Sequence, residues 1–211
     1  MEQKGILIVI SGFSGAGKGS LVKALLKKYQ NYSLSISMTT RQPRVKEENG
    51  VHYFFVTKEE FERAIADNGL VEYACYCGNY YGTPKAYVES ELAKGNNVIL
   101  EIEIQGALKI KERFPESLLI FITPPNGDEL KRRLEGRGTE SAEVIAQRLA
   151  RAEEESEGIE AYDYIVINDD LEECVEEVHR LVDASRKVPI RRKELIQEIR
   201  EDLKKFKKGA K

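Results

Sequence analysis

Hydrophobic positions fall into short unbroken runs separated by segments with helical spacing. Residues 5–10 read Gly-Ile-Leu-Ile-Val-Ile, a β-branched run without polar alternation. A strand covered on both faces has this pattern, because neither face meets water. Similar runs recur at 97–102, 117–122 and 163–167. Helical periodicity follows each of them, at 20–29 (Leu21, Ala24, Leu25 and Lys28 in step), 105–113, 127–134 and 171–182. Strands alternating with helices predict βαβ units and a parallel sheet. Right-handed crossovers would place helices on both of its faces.

Two segments break the rhythm. Residues 33–87 are rich in Tyr, Thr and Gly, with short alternating stretches such as His52-Tyr-Phe-Phe-Val. They predict a small mixed or antiparallel insertion outside the parallel core. Residues 134–159 form a charge-dense helical stretch opened by Gly136-Arg137-Gly138, which by itself reads as a solvated helix face. The end differs again: residues 187–211 carry ten basic and four acidic side chains, with Ile196, Ile199, Leu203 and Phe206 on one helical face. The expectation is a basic amphipathic helix packed on its own core, with a partner chain or an anionic surface as the alternative.

Composition narrows this picture. A chain of 211 residues can bury one substantial core. A net charge of −3 offers no general attraction to a polyanion, so nucleic acid is not expected and any anion site must be local. No apolar run approaches the roughly 20 residues of a membrane span, and no signal peptide is apparent. Cys75, Cys77 and Cys174 make no disulfide framework, and with only His52 and His179 they make no zinc set either. A reducing cytoplasm is the expected setting, without a membrane.

The first chemistry lies after the first run. Gly12-Phe-Ser14-Gly15-Ala16-Gly17-Lys18-Gly19-Ser20 links a predicted strand to a predicted helix. Glycines let successive N–H groups turn inward, the helix N-terminus adds its positive dipole end, and Lys18 supplies a cation for β- and γ-phosphates. Gly19 stands where a hydroxyl residue usually follows the lysine, and the hydroxyl comes one place later, at Ser20. This form resembles the loop of nucleoside-monophosphate kinases. It makes Ser20 a candidate metal ligand only and leaves Mg²⁺ mainly to phosphates and water.

A kinase needs a second anion site. Thr39-Thr40-Arg41-Gln-Pro43-Arg44 sets two guanidiniums three residues apart around a proline, and arginine forks match phosphate oxygens bidentately. Tyr53 and Tyr80-Tyr81 offer phenolic donors. Ser37-x-Thr-Thr-Arg41-x-Pro-Arg44, Glu47-x-Asn-Gly50-x-x-Tyr53-x-Phe and Gly78-Asn-Tyr-Tyr81-Gly82-Thr83 together closely resemble the guanylate kinase family. So do Ile102-Glu-Ile-Gln105-Gly106, Leu134-Glu-Gly-Arg137-Gly-Thr139 and Asp163-Tyr-x-Val-x-Asn168-Asp-Asp170. The resemblance runs in order over about residues 5–185.

It implies an α/β fold: a P-loop parallel sheet core flanked by helices, with a mixed α/β GMP-binding insertion and a helical lid. The domain would span 1–186, with core segments at about 1–33, 96–133 and 160–186, the insertion at about 34–95 and the lid at about 134–159. A basic tail, 187–211, follows. The resemblance implies transfer of the ATP γ-phosphoryl to GMP and use of dGMP, with Mg²⁺ as cofactor, in purine nucleotide metabolism. Arg41, Arg44, Tyr53 and Tyr81 would hold the GMP phosphate, in a site that includes Glu47 and Gly82. Glu72, Ser37 and Thr83 would read the base, since a carboxylate accepts both guanine N1–H and N2–H₂, a donor pair adenine lacks. Arg137 and Arg148, and more weakly Arg133, match lid arginines, and Asn168 matches the residue contacting adenine. Glu101 stands in a Glu-Ile-Glu where the family often has Asp-x-Asp, and would fix nucleotides and the Mg²⁺ hydration shell. Glu103 has no assigned role, because strand alternation points it elsewhere. A kinase for another monophosphate and a non-catalytic protein-binding module of the same fold are the competing readings. Nucleic-acid binding through the tail is a third. Both monomer and homodimer are compatible with the sequence.

Overall fold

The structure is a computed structural model that describes residues 4–44, 47–76, 78–136 and 141–207. The chain runs β1 (Leu7–Gly12), α1 (Lys18–Lys28), β2 (Tyr32–Leu34), β3 (Met38–Thr39), β4 (Phe54–Phe55), α2 (Lys58–Ala66), β5 (Leu70–Tyr76) and β6 (Asn79–Pro84). It continues through α3 (Lys85–Ala93), β7 (Asn97–Glu101), α4 (Ile104–Arg113), β8 (Leu118–Thr123), α5 (Gly127–Glu135), α6 (Ala142–Ser156), β9 (Tyr164–Ile167), α7 (Leu171–Ser185) and α8 (Lys193–Lys207).

Five strands form a parallel sheet in the order β2-β7-β1-β8-β9, with Val9 facing Leu100 on one side and Leu119 on the other. Successive residues of β1 point to opposite faces. Ile8 and Ile10 pack with Ile120, Ile122 and Val166 against Leu21 and Leu25 of α1 and Val175, Val178 and Val182 of α7. Leu7 and Val9 pack with Leu100 and Leu119 against Val88 of α3 and Ala107 and Ile110 of α4. Helices on both faces are why the strand sequence shows no alternation. The run at 163–167 differs from its siblings. β9 is the edge strand, so Val166 is buried while Ile165 and Ile167 are each 55% exposed.

A second, mixed sheet has the order β4-β3-β6-β5. β3 and β4 are parallel, whereas β3–β6 and β5–β6 are antiparallel. Helix α2 begins with a capping box, in which Thr57 accepts from the Glu60 N–H and Glu60 accepts from the Thr57 N–H. Its Phe61 is fully buried and stacks on Tyr80, centroids 5.2 Å apart.

The C-terminal expectation needs correction. Helix α8 forms, yet its apolar side is not packed on the core: Leu195, Ile199, Leu203 and Phe206 are 43%, 49%, 60% and 76% exposed. The chain leaves α7 through a 3-10 turn (Pro189–Arg191) tied down by Arg191 bonds to the Ser185 and Glu116 carbonyls. An amphipathic pattern establishes that one face is apolar, not what that face meets. Cys174 is buried, which pushes its thiol up to about 11 and leaves it inert; Cys75 is exposed, and Cys77 lies outside the described residues. Among the described residues no helix is long and apolar enough to cross a membrane.

Candidate active site

Gly12 closes β1, residues 13–17 form the loop, and Lys18, Gly19 and Ser20 make the first turn of α1. The loop is closed by the Ala16 N–H donating to the Phe13 carbonyl at 3.0 Å. Helix α1 has no acidic residue in its first turn to neutralise its N-terminal dipole. Lys18 Nζ donates back to the Gly12 and Phe13 carbonyls at 2.7 and 3.1 Å, which holds the ammonium over the loop. Ser20 is exposed.

Glu101 stands at the C-terminal end of β7, beside β1, where open α/β sheets place their ligands. Its Oε1 lies 3.9 Å from where a Cβ on Gly19 would be, so the carboxylate faces the start of α1. Partial desolvation raises its pKa, and the charges of Lys18 and Lys23 oppose that rise. Asn168 follows β9, 5% exposed, with its side-chain amide donating to the Ala16 carbonyl at 2.8 Å.

Helix α6 sits against this loop. Leu130 and Leu134 of α5 and Ala152 of α6 form an apolar seat with Phe13, Ile145 and Leu149. Arg148 Nη1 donates to Ser14 Oγ at 2.5 Å, which brings a second cation to the loop. Arg133 is turned to Glu129, 2.6 Å away, and that carboxylate is lowered to about 2 by its bonds to Arg132 and Arg133. Arg137 lies outside the described residues. Arg151 was not foreseen from the sequence: it bonds Glu103 across the gap to α4 at 3.3 Å. Its spacing of three from Arg148 already put both on one helical face.

The residues expected to form a second anion site gather on the mixed sheet. Arg41 follows β3, and its guanidinium forks onto Glu47 at 2.9 and 3.0 Å. Glu47 also accepts the Arg44 N–H at 2.7 Å, so one carboxylate fixes both the Arg41 fork and the turn that carries Arg44. The Arg41 cation lies 5.3 Å from the Tyr53 ring centre, and the Tyr53 and Tyr81 rings meet edge-on at 6.1 Å. Arg41, and after it the Arg44 N–H, pulls the Glu47 carboxyl down to about 2. A depressed carboxyl contributes stability that is fully present above its ordinary value of 4.5 and is lost as pH falls toward about 2. Glu47→Gln should therefore lower the unfolding midpoint at pH 7, with the difference shrinking below pH about 4.5; a difference that stays constant to pH 3 in matched melts contradicts the pairing. If Arg41 serves an acceptor phosphate, the same variant should also raise KM for that acceptor about tenfold, because Arg41 loses its orientation.

Adjacent strands assemble the third cluster. Thr83 on β6, 1% exposed, donates its hydroxyl to Glu72 Oε1 on β5 at 2.8 Å. Burial raises the Glu72 pKa, and the Thr83 bond and the charge of Lys109 pull it back. Gly82 lets the two strands approach: a Cβ there would lie 2.9 Å from the Glu72 carbonyl and from Phe61 Cζ. Ser37 precedes β3, its carbonyl accepting the Phe54 N–H at 2.8 Å.

Comparison with known proteins identifies the family. A guanylate kinase family model matches residues 4–185. The guanylate kinase of Caldanaerobacter subterraneus is 49% identical over 202 residues, 96% of this chain and 98% of its own. That of Oceanobacillus iheyensis is 51% identical over 182 residues, 86% of this chain and 88% of its own. A crystal structure of guanylate kinase from Anaplasma phagocytophilum superposes with a TM-score of 0.69 at 34% identity, covering 90% of each chain. A phosphate loop, a paired arginine–tyrosine site and a hydrogen-bonded Glu–Thr pair, in one chain matched along nearly its whole length, have one meaning: the chain belongs to the guanylate kinase family.

Proposed function

We propose that this enzyme transfers the γ-phosphoryl group of ATP to GMP, giving ADP and GDP, with dGMP as a second acceptor, and that the three clusters divide the work. The loop amides of residues 14–20 and Lys18 hold the β- and γ-phosphates. Arg41, Arg44, Tyr53 and Tyr81 hold the acceptor phosphate, with Glu47 aiming Arg41. Glu72 accepts from guanine N1–H and N2–H₂, Thr83 fixes that carboxylate, and Ser37 donates to O6. Asn168 is assigned to the adenine on family resemblance. The observation that carries the base assignment is the Glu72–Thr83 pair, a partly buried carboxylate in the insertion that Thr83 holds by its hydroxyl.

Transfer needs no covalent enzyme intermediate. The donor and acceptor sites bring the two phosphates in line, and the positive groups balance charge on the equatorial oxygens. Arg148, already hydrogen-bonded to Ser14, and Arg137 supply that charge from the α5–α6 side. Closing this side over the loop excludes water, which would otherwise accept the phosphoryl group. Among the described residues no three of His, Cys, Asp and Glu gather as a metal centre. The oxygen groups beside the loop are Ser20 and Glu101, hard donors that suit Mg²⁺ held mainly by phosphates and water. Bound there, Mg²⁺ would neutralise phosphate charge. A cytoplasmic setting, where ATP and GMP are available, belongs to the same reading.

The purified protein, assayed with ATP and GMP, dGMP, AMP or UMP, tests this. Activity should be greatest with GMP, lower with dGMP and at least about 10³-fold lower with AMP, whose edge leaves Glu72 unpaired. Preference for AMP would overturn the base assignment.

A further inference from the structure

Asn168 is held from two directions. Its backbone N–H donates to the Thr123 carbonyl at 2.8 Å, which carries the β8–β9 pairing one residue past the strand. Its side-chain Nδ2 donates to the Ala16 carbonyl, also at 2.8 Å, across 152 residues of sequence. Ala16 is fully buried, so that carbonyl has no recourse to bulk water. The next residue, Gly17, has φ +88, and a Cβ there would stand 2.4 Å from Asn168 Nδ2. The left-handed turn before α1 and the amide of Asn168 thus occupy one space, which only glycine at position 17 leaves open.

We propose that Asn168 is a positioning residue for the phosphate loop: by donating to the Ala16 carbonyl it fixes the Ala16–Gly17 peptide and keeps the loop N–H groups arranged for an anion. This duty rests on reading residues 12–20 as the triphosphate site, and it is separate from any contact with adenine, which Oδ1 could make while Nδ2 serves the loop. Removing the donor leaves a buried carbonyl unpaired. The peptide plane relieves this by rotating, which turns adjacent N–H groups away. A loop that must be re-ordered on binding loses affinity for every triphosphate, whatever base it carries.

Inorganic tripolyphosphate separates the two duties, since it has phosphates and no base. In Asn168→Ala, the inhibition constant of tripolyphosphate against ATP should rise by a factor of about ten and KM for ATP by at least as much, with KM for GMP unchanged. Weakening of ATP alone, or of neither, overturns the proposal. Tripolyphosphate that fails to compete with the wild-type protein overturns the loop assignment as well, and is told apart because no variant is involved. Should Asn168→Ala not fold, Asn168→Ser carries the same expectation, its hydroxyl being too short to reach Ala16. Amide hydrogen exchange of residues 13–19 should be faster in either variant than in the wild type, and an unchanged rate contradicts the tether.

Discussion

Lys18→Ala is expected to lower kcat by about 10³-fold while leaving the fold and GMP binding intact. The magnitude follows from the role: removing one preorganised donor from a charge-stabilising site costs about 10²–10³-fold, and here a full positive charge leaves with it. Little stability should be lost. The Nζ bonds to the Gly12 and Phe13 carbonyls are part-buried, and their loss should cost only about 1 kcal/mol each. The hydrophobic face of α1, with Leu21, Val22 and Leu25, is untouched. Steady-state rates with saturating GMP, thermal melts and GMP titration check the three parts separately. A fall in kcat below tenfold would mean that Lys18 only packs the loop.

Glu72→Gln is the second large effect, and it should appear as lost selectivity. The carboxylate can accept two guanine donors at once, whereas Gln presents an NH₂ to one of them. A donor set against a donor in a buried site is expected to cost about 10²–10³-fold in kcat/KM for GMP, roughly 3–4 kcal/mol at 1.36 kcal/mol per decade. Activity with AMP should change far less, so the ratio between the two acceptors collapses. The raised pKa of Glu72 adds a pH signature. As pH falls, this carboxyl protonates sooner than an exposed one and loses its double-acceptor character. KM for GMP should therefore rise on the acid side more steeply in the wild type than in Glu72→Gln, both of which share the titration of GMP itself. Parallel profiles would contradict a role for the ionised carboxylate.

The sheet core and the phosphate loop were legible because both depend on local pattern. The run at 5–10 has the pattern of a strand shielded on both faces, and the glycines with Lys18 follow it where α1 begins. The acceptor site was legible as a set of motifs, but its internal wiring was not. Nothing in the spacing of Arg41 and Glu47 says that a carboxylate six residues on would fork the guanidinium; a loop after β3 folds back to make it so. Glu72 and Thr83, eleven apart, meet only because β5 and β6 pair antiparallel with the register shift between Leu70 and Tyr73. The Asn168–Ala16 bond joins residues far apart in the chain, a relation that strand order sets and periodicity does not carry. The exposed face of α8 and the half-open β9 are the same lesson from the other side: an apolar face has no address until its neighbours are known.

The most direct test of the account is the fate of the transferred group. With ATP labelled in its γ-phosphate, Mg²⁺ and GMP, the label should appear in GDP at the rate ADP forms, with no labelled protein and almost none in inorganic phosphate. Label released chiefly as inorganic phosphate, or retained on the enzyme, would contradict in-line transfer between the two anion sites.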